Sequence, residues 1–568
     1  MRPAAPAGSS PRLLLALATG FVVILVLLPI AQLVETVLRE GTGTSTLILS
    51  SPEVRTAAVN SVVLSVAVML LAVPLGTAMA LGLRRTDVPA RAFWRVAVLL
   101  PVLVPEFVLG YSWTQAYGRA GFTDALVGVH WQGVLGPGGV LAVLVANTAP
   151  VAYLLAAVGL ATRAEPDLER AAQASGAGGA TVMRTITLPL LRPSIAAASV
   201  LVFVLSLQSF AVPQVMGAPA GFTTLTTTIY ADLSFASDPL SFVEAVALAL
   251  VLVLLTAAVV APADAMLGPR LRVTRVAEPA AAPLGRRPST GRWVAAGLGG
   301  YLVVAVGLPL LALLSAAITR AVGLPPRPGN WTLDNFRLVI DQRSIEALGR
   351  SVALAVLAAS LLVVIGACVA LLEHRRFGRG MATLSILTLA LPGSTLAVAL
   401  LITYGRWLAG SLVLILLAYL AKLWALAHRP ITGALDRLVP EELYAARASG
   451  ATWLTAMRTV ALRPMAPALL GAWLVCFLTA LHEVTMSSML YGPGSETLAV
   501  IVLNSQELGR IGPTAALSVL LTLLMVVPAL PLWLLSRRLR VARAGHAGSD
   551  TGNDSATDPA LRGSARAY

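Results

Sequence analysis

The chain has 568 residues, of which 57% are apolar and only 12% charged, with a mean hydropathy of +0.82. Soluble domains carry roughly a quarter charged residues, so a water-soluble multidomain enzyme is excluded, and so is a disordered chain. The formal charge of +14 comes from short Arg clusters between apolar runs, with Lys422 the only lysine; that is the pattern of membrane topology signals and excludes nucleic acid as a partner.

In chain order, twelve apolar runs are each long enough to cross a lipid bilayer as a helix. They lie near 13–38, 57–83, 93–117, 138–161, 194–217, 241–265, 293–319, 347–372, 381–405, 409–428, 465–487 and 514–537. The first follows Arg12, is too long for a signal peptide and reads as a retained anchor. Cys368 and Cys476 both fall inside such runs, which speaks for packed hydrophobes and against a disulfide framework. Basic residues concentrate in alternate connections, and the 218–240 loop has none. The positive-inside rule then predicts a multi-pass protein of the cell inner membrane with both termini and the 266–292 segment cytoplasmic. That segment, basic and rich in Pro and Ala, reads as a linker. The expected layout is a first transmembrane domain at 1–265, the linker at 266–292, a second transmembrane domain at 293–540 and a small, polar, disordered tail at 541–568.

The halves repeat. Residues 171–193 align without a gap on 445–467, with 12 of 23 positions identical, including Ser175/Ser449, Gly176/Gly450 and the Met-Arg-Thr at 183–185 and 457–459. Because six spans separate the copies, both point the same way, which makes a parallel repeat about an axis along the membrane normal. Each copy opens with Pro and acids: Pro166, Asp167 and Glu169 in one, Pro440, Glu441 and Glu442 in the other. These are signals for a helix N-terminus. Ala171 and Ala172, like Ala445 and Ala446, then give the short helix so little side chain that another backbone can approach closely, and Gly176 and Gly450 suit the turn that ends it.

Both loops, 161–193 and 429–467, resemble the EAA loop of ABC importer permeases: E-A-A, three residues, Gly, nine residues, then I-x-L-P. Ala171, Ala172, Gly176, Ile186, Leu188 and Pro189 match in the first copy, and Ala445, Ala446, Gly450, Val460 and Leu462 in the second. The Glu of the pattern is Arg170 or Tyr444 here, and the final Pro is Arg463 in the second copy. PEFVLGYSW (105–113), 209–230 and 480–500 are similar to ferric iron importer permeases. The resemblance implies a fused, all-α permease of the MetI-like, type I class, with about twelve helices in two six-helix repeats. It also implies two copies of an ATPase subunit docked on Glu169, Ala171, Ala172, Gly176, Pro189, Glu442, Ala445, Ala446 and Gly450, an extracytoplasmic solute-binding protein, and no cofactor. Iron(III) is the expected solute, with thiamine, a phosphonate or a polyamine as alternatives. A P-loop needs Gly-Lys-Ser/Thr, and Lys422 stands between Ala421 and Leu423, so this chain has no Walker A site and ATP hydrolysis falls to another subunit.

At the same offset of 274, Gln208–Ser209 aligns with His482–Glu483. Polar groups at membrane depth usually face a cavity or a partner, so these four are candidates for lining a pathway between the halves. No metal site is assigned to His482 and Glu483, since neighbours on a helix diverge by about 100°. Lys422 and Asn147 stay ambiguous. A competing class, an ion-coupled twelve-helix secondary transporter, leaves the duplicated loop without a role. A membrane-embedded enzyme lacks any recurrent His/Asp/Glu cluster.

Overall fold

The computed structural model describes residues 19–39, 50–163, 166–235, 239–271, 288–321, 323–325, 327–373, 384–385, 387–436, 438 and 440–527. Most of the expected linker and all of the expected tail lie outside them. Every regular element among the described residues is helical, as the sequence predicts. In the first half the principal helices are α1 (Thr19–Arg39), α2 (Pro52–Arg85), α3 (Arg91–Leu103), α4 (Glu106–Tyr117), α5 (Pro137–Arg163), α6 (Pro166–Ala174), α7 (Gly179–Leu207), α8 (Leu225–Ser234) and α9 (Pro239–Leu271). In the second they are α10 (Thr290–Ile318), α11 (Gln342–Glu373), α12 (Gly393–Leu408), α13 (Leu412–Leu435), α14 (Pro440–Ala448), α15 (Arg458–Leu481), α16 (Thr485–Leu490), α17 (Leu498–Glu507) and α18 (Ile511–Val527).

Nine helices among the described residues are long and apolar enough to cross a bilayer, or ten if the bent pair of α3 with the helix from Glu106 is one span. Of the other predicted spans, the twelfth is described as α18 only as far as Val527, and the third and ninth are broken at prolines. The third run bends by 93° at Val104–Pro105, and the ninth restarts at Gly393 after Pro392. Proline donates no N–H and disfavours a helical residue before it, so the chain stops and restarts there. The fifth and eleventh runs stop at Leu207 and Leu481, immediately before the predicted polar pairs.

Each half builds the same core. Helices α2, α5 and α7 pack together, as do α11, α13 and α15. Small residues allow the close crossings: a Cβ on Gly366 of α11 would sit 2.9 Å from both the Ala427 Cβ and the His428 N of α13. Large apolar side chains such as Val63, Leu70, Leu254, Val364 and Val526 stay exposed, as a lipid-facing surface requires.

The first helix of each half crosses to the other. Helix α1 packs on α12, and the last turns of α10 pack on α4. Each of these first helices contains a π-turn, Val23–Leu27 or Val303–Gly307, two residues ahead of a proline, Pro29 or Pro309. Pro309 has no N–H to offer the carbonyl of Ala305. Trp113 Nε1 of the opposite half donates to that carbonyl at 3.0 Å, and Tyr117 Oη to Val304 O at 2.8 Å. In the mirrored position Tyr404 Oη donates to Ile24 O at 2.6 Å.

Candidate functional site

The repeated loops form matching short helices at one end of the molecule. In α6 the final carbonyls are satisfied by Gly176 N donating to Gln173 O at 2.9 Å and Ala177 N to Ala172 O at 2.9 Å. In α14, Gly450 N donates to Arg447 O at 3.0 Å and Ala451 N to Ala446 O at 3.1 Å. Gly176 has φ +87° and Gly450 φ +88°, the left-handed conformation that ends a helix this way. Ala171, Gly176, Glu442, Ala445 and Gly450 are exposed, while Ala172 and Ala446 are half-buried. The Met-Arg-Thr repeat starts a π-turn in both copies, Met183–Thr187 and Met457–Ala461. Pro189 follows the first of these; the second persists although Arg463 replaces the proline.

Glu169 turns inward. Its Oε1 accepts from Arg85 Nη2 at 2.5 Å and from Thr187 Oγ1 at 2.7 Å, and so ties α6 to the ends of α2 and α7. Arg170, at the position of the motif's Glu, pairs outward with Asp167 at 3.5 Å. In the second half, Glu373 Oε2 lies 2.8 Å from His428 Nε2 and accepts from Thr432 Oγ1 at 3.1 Å. Sequence alone does not suggest that bridge, since Glu373 and His428 sit at two span ends with no local motif.

A polar layer crosses the middle of the interface between halves. Four helix breaks meet there: α3/α4 at Pro105, the turn before α12 at Pro392, α7 at Gln208 and α15 at His482. All four predicted polar residues belong to this layer, each half-buried except the buried Ser209. Lys422 Nζ from α13 donates to Gln208 Oε1 at 2.9 Å, joining the halves. Ser209 Oγ donates to Glu106 Oε2 at 3.0 Å. Glu483 accepts from Met486 N at 2.9 Å and Ser487 N at 3.1 Å, so its carboxylate caps the start of α16. The His482 ring turns back to Leu478 O at 2.5 Å. Helical spacing does not set the directions of His482 and Glu483, because α15 has already ended; the separate captures of the two side chains do.

Glu106 and Lys422 complete the layer and are the residues hardest to assign from sequence. Their signal is a lone acid directly after Pro105 in an apolar run, and a sole lysine within a span. Gly393 follows Pro392 where Glu106 follows Pro105. A Cβ at Gly393 would meet Lys422 Nζ at 3.2 Å, so the second half leaves room there for the lysine. Asn147 serves the fold, because its Nδ2 donates to Pro101 O at 3.0 Å, next to the bend.

Below this layer, toward the end bearing α6 and α14, a cavity of about 720 Å³ is bounded by both halves. Glu106, Gln208, Lys422, His482 and Glu483 close its inner limit, and Asp264 and Arg429 stand nearer the loop end. Arg429 is seven residues beyond Lys422, about 10 Å along α13. A second cavity, of about 710 Å³, lies at the opposite end and is lined by Tyr111, Arg119, His130 and Arg510 among others. Between the two cavities α4 climbs from Glu106 to Tyr111, about 7.5 Å, and Tyr111 Oη donates across the halves to Ile511 O at 3.0 Å.

Residues 72–273 and 362–541 each match the profile of one family, described as the binding-protein-dependent transport system inner membrane component. Among curated proteins the chain is 23% identical to the ferric transport system permease protein FbpB of Actinobacillus pleuropneumoniae, over 82% of this chain and 69% of the relative. It is 26% identical to the probable ABC transporter permease protein y4fN of Sinorhizobium fredii, over 87% and 89%. The molybdenum transport system permease protein ModB of Mycobacterium tuberculosis is 36% identical over 219 residues, 38% of this chain and 80% of that protein.

Proposed function

Because the chain belongs to the family of binding-protein-dependent transport system inner membrane components, we propose that it is the complete membrane pathway of an ATP-driven importer, two permease domains in one polypeptide. The domains are 1–265 and 293–540, joined by the 266–292 linker and followed by the 541–568 tail. The chain itself hydrolyses no ATP. Two copies of a separate ATPase dock on α6 and α14 from the cytoplasm, through the surfaces of Glu169, Ala171, Ala172, Gly176 and Pro189 and of Glu442, Ala445, Ala446 and Gly450. A solute-binding protein delivers cargo at the opposite, extracytoplasmic end, and both termini are cytoplasmic.

The observation that carries this reading is the pairing of two equally capped, exposed helices at the end toward which the 720 Å³ cavity extends. That arrangement is the inward-facing state of an alternating-access cycle. Gln208, Ser209, His482 and Glu483, with Glu106 and Lys422, form the layer that holds the far cavity apart from the near one. When the ATPases close, α6 and α14 move together. Glu169 then passes the motion of α6 to α2 and α7 through Arg85 and Thr187, and the layer opens to the far side.

Iron(III) is the proposed solute, because relatives matched along most of this chain carry ferric transport names. The ModB similarity favours a second reading, an oxyanion such as molybdate. Radiolabelled iron and molybdate uptake in cells with and without the chain, together with ATPase co-purification, test the proposal. Loss of neither uptake, with no ATPase retained, would refute it.

A further inference from the structure

The cavity at the far end has an unbalanced charge. Arg119, which follows α4 in the first half, and Arg510, which precedes α18 in the second, both line it, and no carboxylate does. Neither guanidinium forms an ion pair among the described residues, and both side chains are exposed. The nearest acid on that loop, Asp124, feels the Arg119 charge but forms its contacts with other groups: its Oδ2 accepts from Ala120 N at 2.9 Å and its Oδ1 faces His130 Nδ1 at 3.1 Å. Gln506 adds an amide oxygen that is buried without a partner in the same wall. A neighbouring cavity of about 230 Å³ shares Gln115, Gly509 and Ile511 with the first and adds Arg320, again with no carboxylate in its lining. The near cavity differs, since Glu106, Asp264 and Glu483 there offset Lys422 and Arg429.

Two guanidiniums without a salt-bridge partner that line one cavity attract anions and repel cations, and their planar forks suit oxygen anions. The geometry points to the far cavity as a receiving chamber for a solute that crosses with net negative charge. That solute is an anionic oxygen shell, either a free tetrahedral oxyanion or a metal ion wrapped in an anionic oxygen-donor complex, gripped across the halves by Arg119 and Arg510. A bare trivalent metal cation is the wrong cargo for this chamber. The inference rests on the importer reading for the direction of travel and refines its substrate class.

The test is equilibrium dialysis of the full purified chain with labelled molybdate, with labelled Fe(III)–citrate in excess citrate, and with lanthanum(III) as a bare trivalent cation. The wild-type chain binds at least one of the two anions saturably. The Arg119→Gln/Arg510→Gln variant loses that affinity by about tenfold or more, as removal of two charge-assisted contacts requires, and Arg119→Lys/Arg510→Lys recovers most of it. Molybdate binding alone identifies a free oxyanion, Fe(III)–citrate binding alone a complexed metal, and binding of both a general anion chamber. Anion binding that is absent, or unaffected by the double Gln change, overturns the proposal, as does lanthanum binding to the wild type. ATPase co-purification is measured on the same samples. If it fails while the Arg-dependent anion binding stands, the importer reading falls and the chamber remains.

Discussion

The glycine that ends each coupling helix gives the sharpest prediction. Gly176 and Gly450 hold φ near +87° and +88°, yet a Cβ built on either would meet nothing within 4 Å. Alanine there is therefore strained only in its backbone, by about 1–2 kcal/mol, the cost of a left-handed conformation for an L-residue with a side chain. Helices of nine residues such as α6 and α14 have little stability of their own, so that cost falls on the last turn and on the following chain. A difference of this size shifts the capped population by a factor of about 5–30. Gly450→Ala and Gly176→Ala should reduce ATPase co-purification and uptake within that range, while membrane insertion and thermal stability of the spans stay unchanged. Asn tolerates the left-handed region, so Gly450→Asn should keep most function and Gly450→Val almost none. If Ala matches wild type at both positions, or Asn proves as damaging as Val, the capped turn is not what the ATPase reads.

The remaining predictions concern the layer and the ends. Glu483→Gln keeps one acceptor for the α16 N–H groups and should lower uptake with ATPase binding intact; unchanged uptake at normal protein level would leave Glu483 a helix cap alone. Lys422→Met strips the cation from beside Glu106 and Glu483 and should destabilise the chain by about 1–3 kcal/mol in detergent unfolding, less than a fully buried pair because the cavity admits water. Arg85→Ala should uncouple ATP hydrolysis from uptake without releasing the ATPase, because it cuts the brace behind α6 and leaves the outer face of α6 unaltered. At the far end, burial opposes the charged form of Glu496, but its own backbone N–H and the Arg343 and Arg350 guanidiniums outweigh it and hold the carboxyl below its ordinary value. That stability is present above the ordinary carboxylate range and is lost as pH falls through the lowered value. Relative to Glu496→Gln, the wild type should lose roughly 1 kcal/mol between pH 7 and pH 3, a modest figure because Arg343 is mostly exposed.

Composition and periodicity make the membrane class legible, and the 274-residue offset makes the repeat legible, because both depend on many residues at once. Hydropathy leaves the broken spans unread. It scores Pro105 and Pro392 as neutral interruptions, and a window of about twenty residues runs across Gln208–Ser209 and His482–Glu483 without registering that the helix has ended. The end of α6 and α14 is readable since Gly at that place has one local reason. The Lys422–Gln208 and Arg85–Glu169 contacts are not, since each joins side chains 214 and 84 residues apart, and only the packing of the spans sets those neighbours.

The exchange of first helices bears on how such a protein can be made and inherited. Helix α1 finds its groove on α12, and α10 finds its own beside α4, so a ribosome that has finished only the first half has produced a bundle with a misplaced helix and an empty slot. Neither half should then be a self-sufficient folding unit. Completion waits on the second copy, whether it arrives on the same polypeptide or a separate one. A gene cut within the linker should still yield a working pair when both pieces are expressed together, and neither piece should persist alone. Fusion in one chain then guarantees equal dosage of two parts that are each other's missing wall.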